Sequence, residues 1–342
     1  MVFMRVLVTG CAGYIGSTLV RVLLENGFDV VCLDRFFFGL DSVRDLLSSE
    51  HFSIVKDDIR WFDPSVLRDV DVVVDLAALS NDPAGELDPS KTLDINYLGR
   101  VRVARLSREF GVSKYIFAST CSVYGFQEGL LTEEAKPNPL TTYAKASALA
   151  EKDILPLASD DFSVTVLRFA TAYGLSYRMR FDLVVNTMTL YLYKHNKIRV
   201  SGDGTQWRPL VHVKDISRAI LAVIKSPSDV VNGEVFNVGS NDQNYQIIKL
   251  AREIGDAIGV PYEIEFFGDP DKRSYRVDFS KIREKLDFEP KYRPRDGARE
   301  IYNALKEGRV KDDLRTITVK WYKHLLESHK LVKNVELRDT IL

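Results

Sequence analysis

Three cysteines in 342 residues, five histidines, no long apolar run and no excess of one charge narrow the possibilities before any motif is read. Cys11, Cys32 and Cys121 lie far apart, and no CxxC or His/Cys cluster offers zinc its usual ligand spacing, so no metal site is expected. Cysteine usage this sparse reads as a reduced, intracellular protein. No apolar run approaches the roughly 18 residues that span a bilayer. The first residues hold one arginine and then a strand pattern, in place of a signal-peptide core. A formal net charge of -1 gives no basic bias toward nucleic acid or anionic membrane. These absences lead us to expect a soluble, cytoplasmic chain, long enough for one large domain plus a smaller one.

What is present begins with VLVTGCAGYIG, ending at Gly16. Val6, Leu7 and Val8 are apolar β-formers, and from Tyr14 the pattern turns helical, with Ile15, Leu19, Val22 and Leu23 at helical spacing. A strand turning directly into a helix leaves unpaired N–H groups at the positive end of the helix dipole, a site for a pyrophosphate. Gly10 serves the tight turn, Gly13 close backbone approach and Gly16 helix-on-strand packing. The spacing is G-x-x-G-x-x-G. The next strand, Val30–Leu33, is closed by Asp34, 24 positions beyond Gly10, where an acid meets the adenosine ribose hydroxyls of a dinucleotide. Asp34 favours NAD over NADP, because a carboxylate repels a 2′-phosphate, and Arg35 beside it softens that preference.

Strand and helix patterns then alternate. Strands are expected at Phe52–Val55, Val70–Leu76, Lys114–Ala118 and Phe162–Phe169, with helices at Ile95–Phe110 and Thr142–Leu157. Val70–Leu76 is nearly continuous in apolar residues, as a parallel strand buried on both faces should be. The alternation predicts an α/β fold, a doubly wound parallel sheet with a smaller, interleaved α/β lobe. Residues 1–175 plus about 207–239 read as the dinucleotide-binding domain, 176–206 plus 240–315 as the substrate lobe, and 316–342 as a helical tail. The tail pattern, from Asp312 to Leu342, carries Ile317, Trp321, Leu325 and Leu331 on one face and suits packing or a dimer contact.

Ligands in such sheets sit beyond the carboxyl ends of the strands, which selects a few loops. Asp57, Asp58 and Ile59 follow the third strand, where a carboxylate can meet an adenine amino group. Leu76, Ala77 and Ala78 follow the fourth and are mostly small enough for close approach to a cofactor. Ser119-Thr120-Cys121-Ser122 follow the fifth, a hydroxyl cluster able to orient a substrate hydroxyl. Tyr143 opens the next helix. Its phenol becomes a general base if its pKa falls from about 10 toward neutrality, a shift of about 3 units or roughly 4 kcal/mol.

TGCAGYIG, Asp34, Asp58-Ile59, DLAAL, Asn96, STCSVYG, Tyr143, RFATAYG, RPLVHVKD and NVGS occur in this order over roughly residues 4 to 300. In that order they resemble the extended short-chain dehydrogenase/reductase family, in its nucleotide-sugar epimerase/dehydratase branch, which includes the UDP-glucose/galactose 4-epimerases. The resemblance implies a Rossmann-type fold, a tightly held NAD, a homodimer built through the helices at Ile95–Phe110 and Thr142–Leu157, and a nucleotide-sugar substrate. It assigns Thr120 to the sugar hydroxyl, Tyr143 to the catalytic base, Asn96 to the cofactor side, and Arg208 and Arg273 to the nucleotide diphosphate.

Two departures stand out. The family motif is Tyr-x-x-x-Lys, and Ser147 occupies the lysine position. A residue at +4 lies about 40° around a helix from the tyrosine and one at +2 about 200°, so Lys145 is a poor stand-in. Ser147 can still bond a ribose hydroxyl but brings no charge. The open alternatives are a slow catalyst, another cation in place of the lysine, or a mutation. Thr171 stands where many relatives carry asparagine, and Asn186 is a candidate to take over that contact. The dehydratases' Asp-Glu pair after the threonine is replaced by Cys121 and Ser122. Elimination of water then lacks its acid and base. The expected activity is NAD-dependent epimerisation, most simply at C4, with a keto-sugar reductase or dehydrogenase and a catalytically weakened binding protein as rivals.

Overall fold

The structure, a computed structural model, describes residues 4–269, 273–337 and 340. Its centre is a seven-stranded, all-parallel sheet: β1 (Arg5–Thr9), β2 (Asp29–Asp34), β3 (Phe52–Lys56), β4 (Val72–Asp75), β5 (Lys114–Thr120), β6 (Ser163–Phe169) and β7 (Glu234–Val238). The order across the sheet is β7-β6-β5-β4-β1-β2-β3, so the winding direction reverses between β1 and β4. Alternation along β1 divides the core. Val6 and Val8 face a layer with Leu19, Leu23, Ile216 and Ile220, while Leu7 faces Val73, Val103, Phe117 and Ile154. The first layer is carried by α1 (Gly16–Glu25) and the second by α2 (Arg100–Glu109) and α3 (Thr142–Ile154). Each fully buried Val or Leu here contributes about 1.5–3 kcal/mol.

The helix Val213–Lys225, here α4, also packs on the first layer, and β7 closes that edge of the sheet. Trp207–His212, expected within the large domain, joins a different sheet. It pairs in parallel with Thr171–Tyr173 and antiparallel with Asn244–Gln246. A third core, with Val185, Leu192, Val200, Leu210, Leu250 and Ile254, fills the smaller lobe under these strands and the parallel pair Lys197–Ser201 with Glu263–Phe267.

Three further expectations are corrected. The helix expected from Ile95 opens as a wide π-type turn over Asp94–Gly99 and becomes regular only at Arg100. The tail helix, α5, runs Thr318–Val335 instead of starting at Asp312. Asp313 caps Arg315 N–H at 2.7 Å, and Thr316 accepts from Phe181 N–H at 2.8 Å, so this stretch docks on the smaller lobe before helix begins. Leu331, expected on the packed face, is 65 % exposed. Most important, the cysteines are not all reduced. Cys11, in the glycine loop, is joined to Cys32 on β2 by a disulfide with its Cα atoms 5.4 Å apart, and only Cys121 is free. Among the described residues no helix is long and apolar enough to cross a membrane.

Candidate active site

The reversal of winding opens a cleft beyond the carboxyl ends of β1, β2, β4 and β5, as crossovers that diverge on opposite faces must. At its floor Gly10 has φ +67°, and a Cβ there would meet Ala77 Cα at 2.9 Å. A Cβ on Gly16 would overlap the Gly10 carbonyl and lie 2.6 Å from Cys11 Cα. At both glycines the loop therefore presents backbone alone, which fits a pyrophosphate lying against the start of α1. Ile15 and Tyr14 line the same cleft. The Tyr14 phenol, though, is spent on the Gly174 carbonyl at 2.6 Å and ties the loop to the smaller lobe.

Asp34 closes β2 at the cleft wall, accepting from Ala12 N–H at 3.0 Å and Phe36 N–H at 2.7 Å. Burial raises its pKa, against those N–H groups. Arg35 turns away to pair with Asp58 at 2.7 Å. Asp58 and Ile59 line the cleft, but the Asp58 carboxylate is already saturated. It takes Arg60 Nε and backbone N–H on one oxygen, Arg60 Nη2 and Arg35 on the other. The expected adenine contact from this carboxylate is thus corrected to an anchor for two arginines. Leu76 and Ala77 are held by their N–H groups on Thr9 Oγ1 at 3.1 and 3.0 Å, and Ala78 continues the wall. Asn96 is fully buried and grips Leu79 through both its N–H and C=O. It shapes the loop after β4 and is not among the cleft-lining residues.

At the far end, Thr141 caps α3 through Ala144 N–H at 3.2 Å, which sets Tyr143 in the first turn facing the cleft. The Thr120 hydroxyl accepts from Ser122 N–H at 3.1 Å and lies near enough to the Tyr143 phenol to favour its phenolate form. Burial and then Asp82 nevertheless push Tyr143 up, against Arg100, Thr120 and Arg180. Ser147 is 2 % exposed and its Oγ donates to the Tyr143 carbonyl at 3.1 Å, so it is folded back onto its own helix.

The substrate candidates divide. Arg208 donates to the Arg273 carbonyl, and Arg273 ion-pairs with Asp82, whose other oxygen accepts from Thr141. The two arginines are thereby brought together and coupled to the N-cap of the Tyr143 helix. Pro270, Asp271 and Lys272, from the same motif as Arg273, lie outside the described residues. Asn186 is fully buried and committed to Gly174 N–H at 3.0 Å and the Arg180 carbonyl at 2.8 Å. It shapes a loop and does not replace a diphosphate contact. Thr171 is half-buried on its strand, with Ala172 reaching the cleft in its place.

Sequence reasoning missed Arg100, Arg178 and Arg180, which all line the cleft. A signal for Arg100 existed: it falls on the apolar face of its helix, with Val103, Ala104 and Ser107, where a cation requires a buried partner. Tyr322, from the tail, also lines the cleft.

The chain matches the family model described as "NAD dependent epimerase/dehydratase family" over residues 6–239. It is 29% identical over 312 residues to a UDP-glucose 4-epimerase of Lactobacillus helveticus, covering 84% of this chain and 93% of that one. With a UDP-glucuronate 4-epimerase of Thermodesulfobacterium geofontis it shares 29% over 317 residues, 88% and 96% of the two chains. The UDP-glucuronic acid 4-epimerase from Bacillus cereus, solved in complex with UDP-glucuronic acid and NAD, superposes with a TM-score of 0.80. That pair shares 26% identity, and the match covers 89% of this chain and 99% of that one. A glycine-turned phosphate cradle and an acid closing β2, in the cleft that Tyr143 also lines, agree with that match, which spans most of the chain: it belongs to the NAD-dependent epimerase/dehydratase family.

Proposed function

We propose that this protein is an NAD-dependent epimerase of a nucleotide-diphosphate sugar, acting at C4 through a keto-sugar intermediate. One observation carries the choice within the family. The Thr120–Tyr143 pair supplies one hydroxyl-orienting group and one proton acceptor, and the positions after Thr120 supply neither acid nor base. Cys121 is buried, its Sγ 3.2 Å from the Arg168 carbonyl, and burial pushes its thiol well up. Elimination has no proton donor there, whereas inversion needs only the tyrosine.

NAD, when bound, supplies the hydride acceptor and donor that take a carbinol carbon to a ketone and back, and a positive charge beside Tyr143. The residues that would hold it are Gly10, Gly13 and Gly16 at the pyrophosphate, Asp34 at the adenosine ribose, and Leu76, Ala77 and Ala78 along the wall. Tyr143 takes the C4 hydroxyl proton onto its phenolate oxygen and returns it, while Thr120 orients that hydroxyl. Arg208 and Arg273 grip the diphosphate, for which planar guanidinium groups are well shaped. The division into a cofactor lobe (1–175 plus about 207–239) and a sugar lobe (176–206 plus 240–315) belongs to the same reading, with the strand Trp207–His212 moved to the sugar lobe's sheet. So does a homodimer, which Leu98 and Leu149, 55 % and 39 % exposed on the expected contact helices, support.

The test is turnover of UDP-, GDP- and dTDP-sugars by wild type and Tyr143→Phe. A loss of at least a hundredfold is expected, and equal rates would overturn the assignment. A second reading, a binding protein with weakened catalysis, is favoured by Ser147. It predicts nucleotide-sugar binding without conversion, indifferent to Tyr143→Phe.

A further inference from the structure

The family's base is assisted by a cation one helical turn along, and here that position holds a serine tied to the Tyr143 carbonyl. Lys145, the nearest lysine in sequence, is exposed. Four arginines line the cleft with Tyr143, namely Arg35, Arg100, Arg178 and Arg180. Arg35 belongs to Asp58 at the adenosine end. Arg178 lies 3.6 Å over the Phe38 ring, also at that end. Arg180 has every nitrogen engaged, Nε and Nη2 on Asp182 at 2.8 and 3.1 Å and Nη1 on Ser80 Oγ at 3.3 Å.

Arg100 is held differently. It is 2 % exposed and rises from the first turn of α2 beneath the ends of β4 and β5, stacked 4.0 Å over Phe117. Nε meets Asp75 Oδ2 at 3.1 Å and Nη2 meets the Asp75 carbonyl at 2.5 Å. Nη1 has no protein hydrogen-bond partner among the described residues. The Asp75 carboxylate is shared, taking Thr9 Oγ1 and the Tyr115 phenol at 2.5 Å each. Asp75 therefore fixes the guanidinium through Nε and Nη2 and leaves Nη1 to the cleft that Arg100 lines.

We propose that Arg100, positioned by Asp75, supplies the positive charge that the missing lysine would have brought to the Tyr143 phenolate. The device moves the cation from the tyrosine's own helix to the neighbouring one, and exchanges a mobile ammonium for a guanidinium that stays charged at all working pH values. Arg100 favours the phenolate form of Tyr143, as Thr120 and Arg180 do, against burial and the Asp82 carboxylate. The proposal rests on Tyr143 being the base, as in the epimerase reading.

The test reads the phenol directly. Tyrosinate absorbance of the NAD-loaded protein is titrated in wild type and Tyr143→Phe, and the difference isolates the Tyr143 ionisation. In Arg100→Met that ionisation is expected to move up by at least one pH unit. The rise of kcat with pH should move with it, about tenfold lower at pH 7 per unit. Arg100→Lys should stay close to wild type, and Arg100→Met with Ser147→Lys should restore the profile. Should Arg100→Met fail to fold because Asp75 is left buried and unpaired, Arg100→Met with Asp75→Asn carries the same measurement. An unmoved Tyr143 ionisation, or a double variant that restores nothing, overturns the proposal. If no nucleotide sugar is turned over, the epimerase reading falls, while the titration still decides the role of Arg100.

Discussion

Tyr322, on the tail helix, packs its ring against Phe38 with centroids 5.5 Å apart, 284 positions away along the chain from the loop that it closes. Trp321 Nε1 donates to the Phe37 carbonyl at 2.6 Å in the same contact. The loop after Asp34 is thus held from above by the C-terminal helix, at the adenosine end of the cleft. Tyr322→Ala is expected to weaken NAD binding about fivefold, equivalent to about 1 kcal/mol of aromatic contact, with kcat in saturating NAD unchanged. Calorimetric titration of NAD into stripped protein measures it; an unchanged Kd would show that the tail only packs.

The Cys11–Cys32 bridge ties the glycine loop to β2 across a sequence separation of 21. Closing a loop of that size restricts the unfolded chain by about 3 kcal/mol. Reductant should therefore lower the melting temperature of wild type by several degrees and leave Cys32→Ser unaffected. Non-reducing peptide mapping should recover the two cysteines linked and Cys121 alone. A melting curve indifferent to reductant would count against the bridge.

The pH dependence of stability should carry the signature of Asp58. Burial works to raise its pKa, but Arg60 and Arg35 hold it down at about 2. The folded value lies below the unfolded one of about 3.9, so the stabilisation is complete above about pH 4 and fades as pH falls toward 2. It amounts to about 2 kcal/mol. Urea unfolding of wild type and Asp58→Asn should show a gap at pH 5 that narrows by pH 3. A gap of constant size would show that the carboxylate's charge is not involved.

Arg208 and Arg273 should matter for binding more than for chemistry. Arg273→Ala is expected to raise KM for the nucleotide sugar at least tenfold with a smaller change in kcat, because a diphosphate contact is made equally in ground and transition states. A fall in kcat alone would instead implicate the Arg273–Asp82–Thr141 chain in holding the Tyr143 helix.

Much of this molecule was legible before its structure. Gly10, Gly13, Gly16 and Asp34 report on one strand–turn–helix–strand unit, whose conformation depends on neighbours within about 25 residues. The strands were readable because a parallel sheet buried on both faces demands continuous apolar runs. The loop holding Thr120 followed from the rule that places ligands at the carboxyl ends of such strands, and the role of Tyr143 from the family resemblance. The substitution at Ser147 was visible as a missing charge.

What replaces that charge was decided only by tertiary structure. Arg100 and Asp75 are 25 positions apart, on a helix and a strand that meet through the crossover, and no local periodicity specifies which buried acid meets which buried base. The same holds for Cys11 with Cys32, whose adjacency depends on β1 pairing with β2, and for Asp58, whose carboxylate is filled by two arginines before any ligand arrives. Asn96 and Asn186 had the right chemistry for a ligand and were taken by loops instead, since a buried amide must satisfy the nearest unpaired backbone first. Local sequence determines conformation through steric and periodic rules that act over a few residues. Which polar groups remain available for chemistry depends on long-range hydrogen-bond satisfaction, and that is set only when the whole core closes.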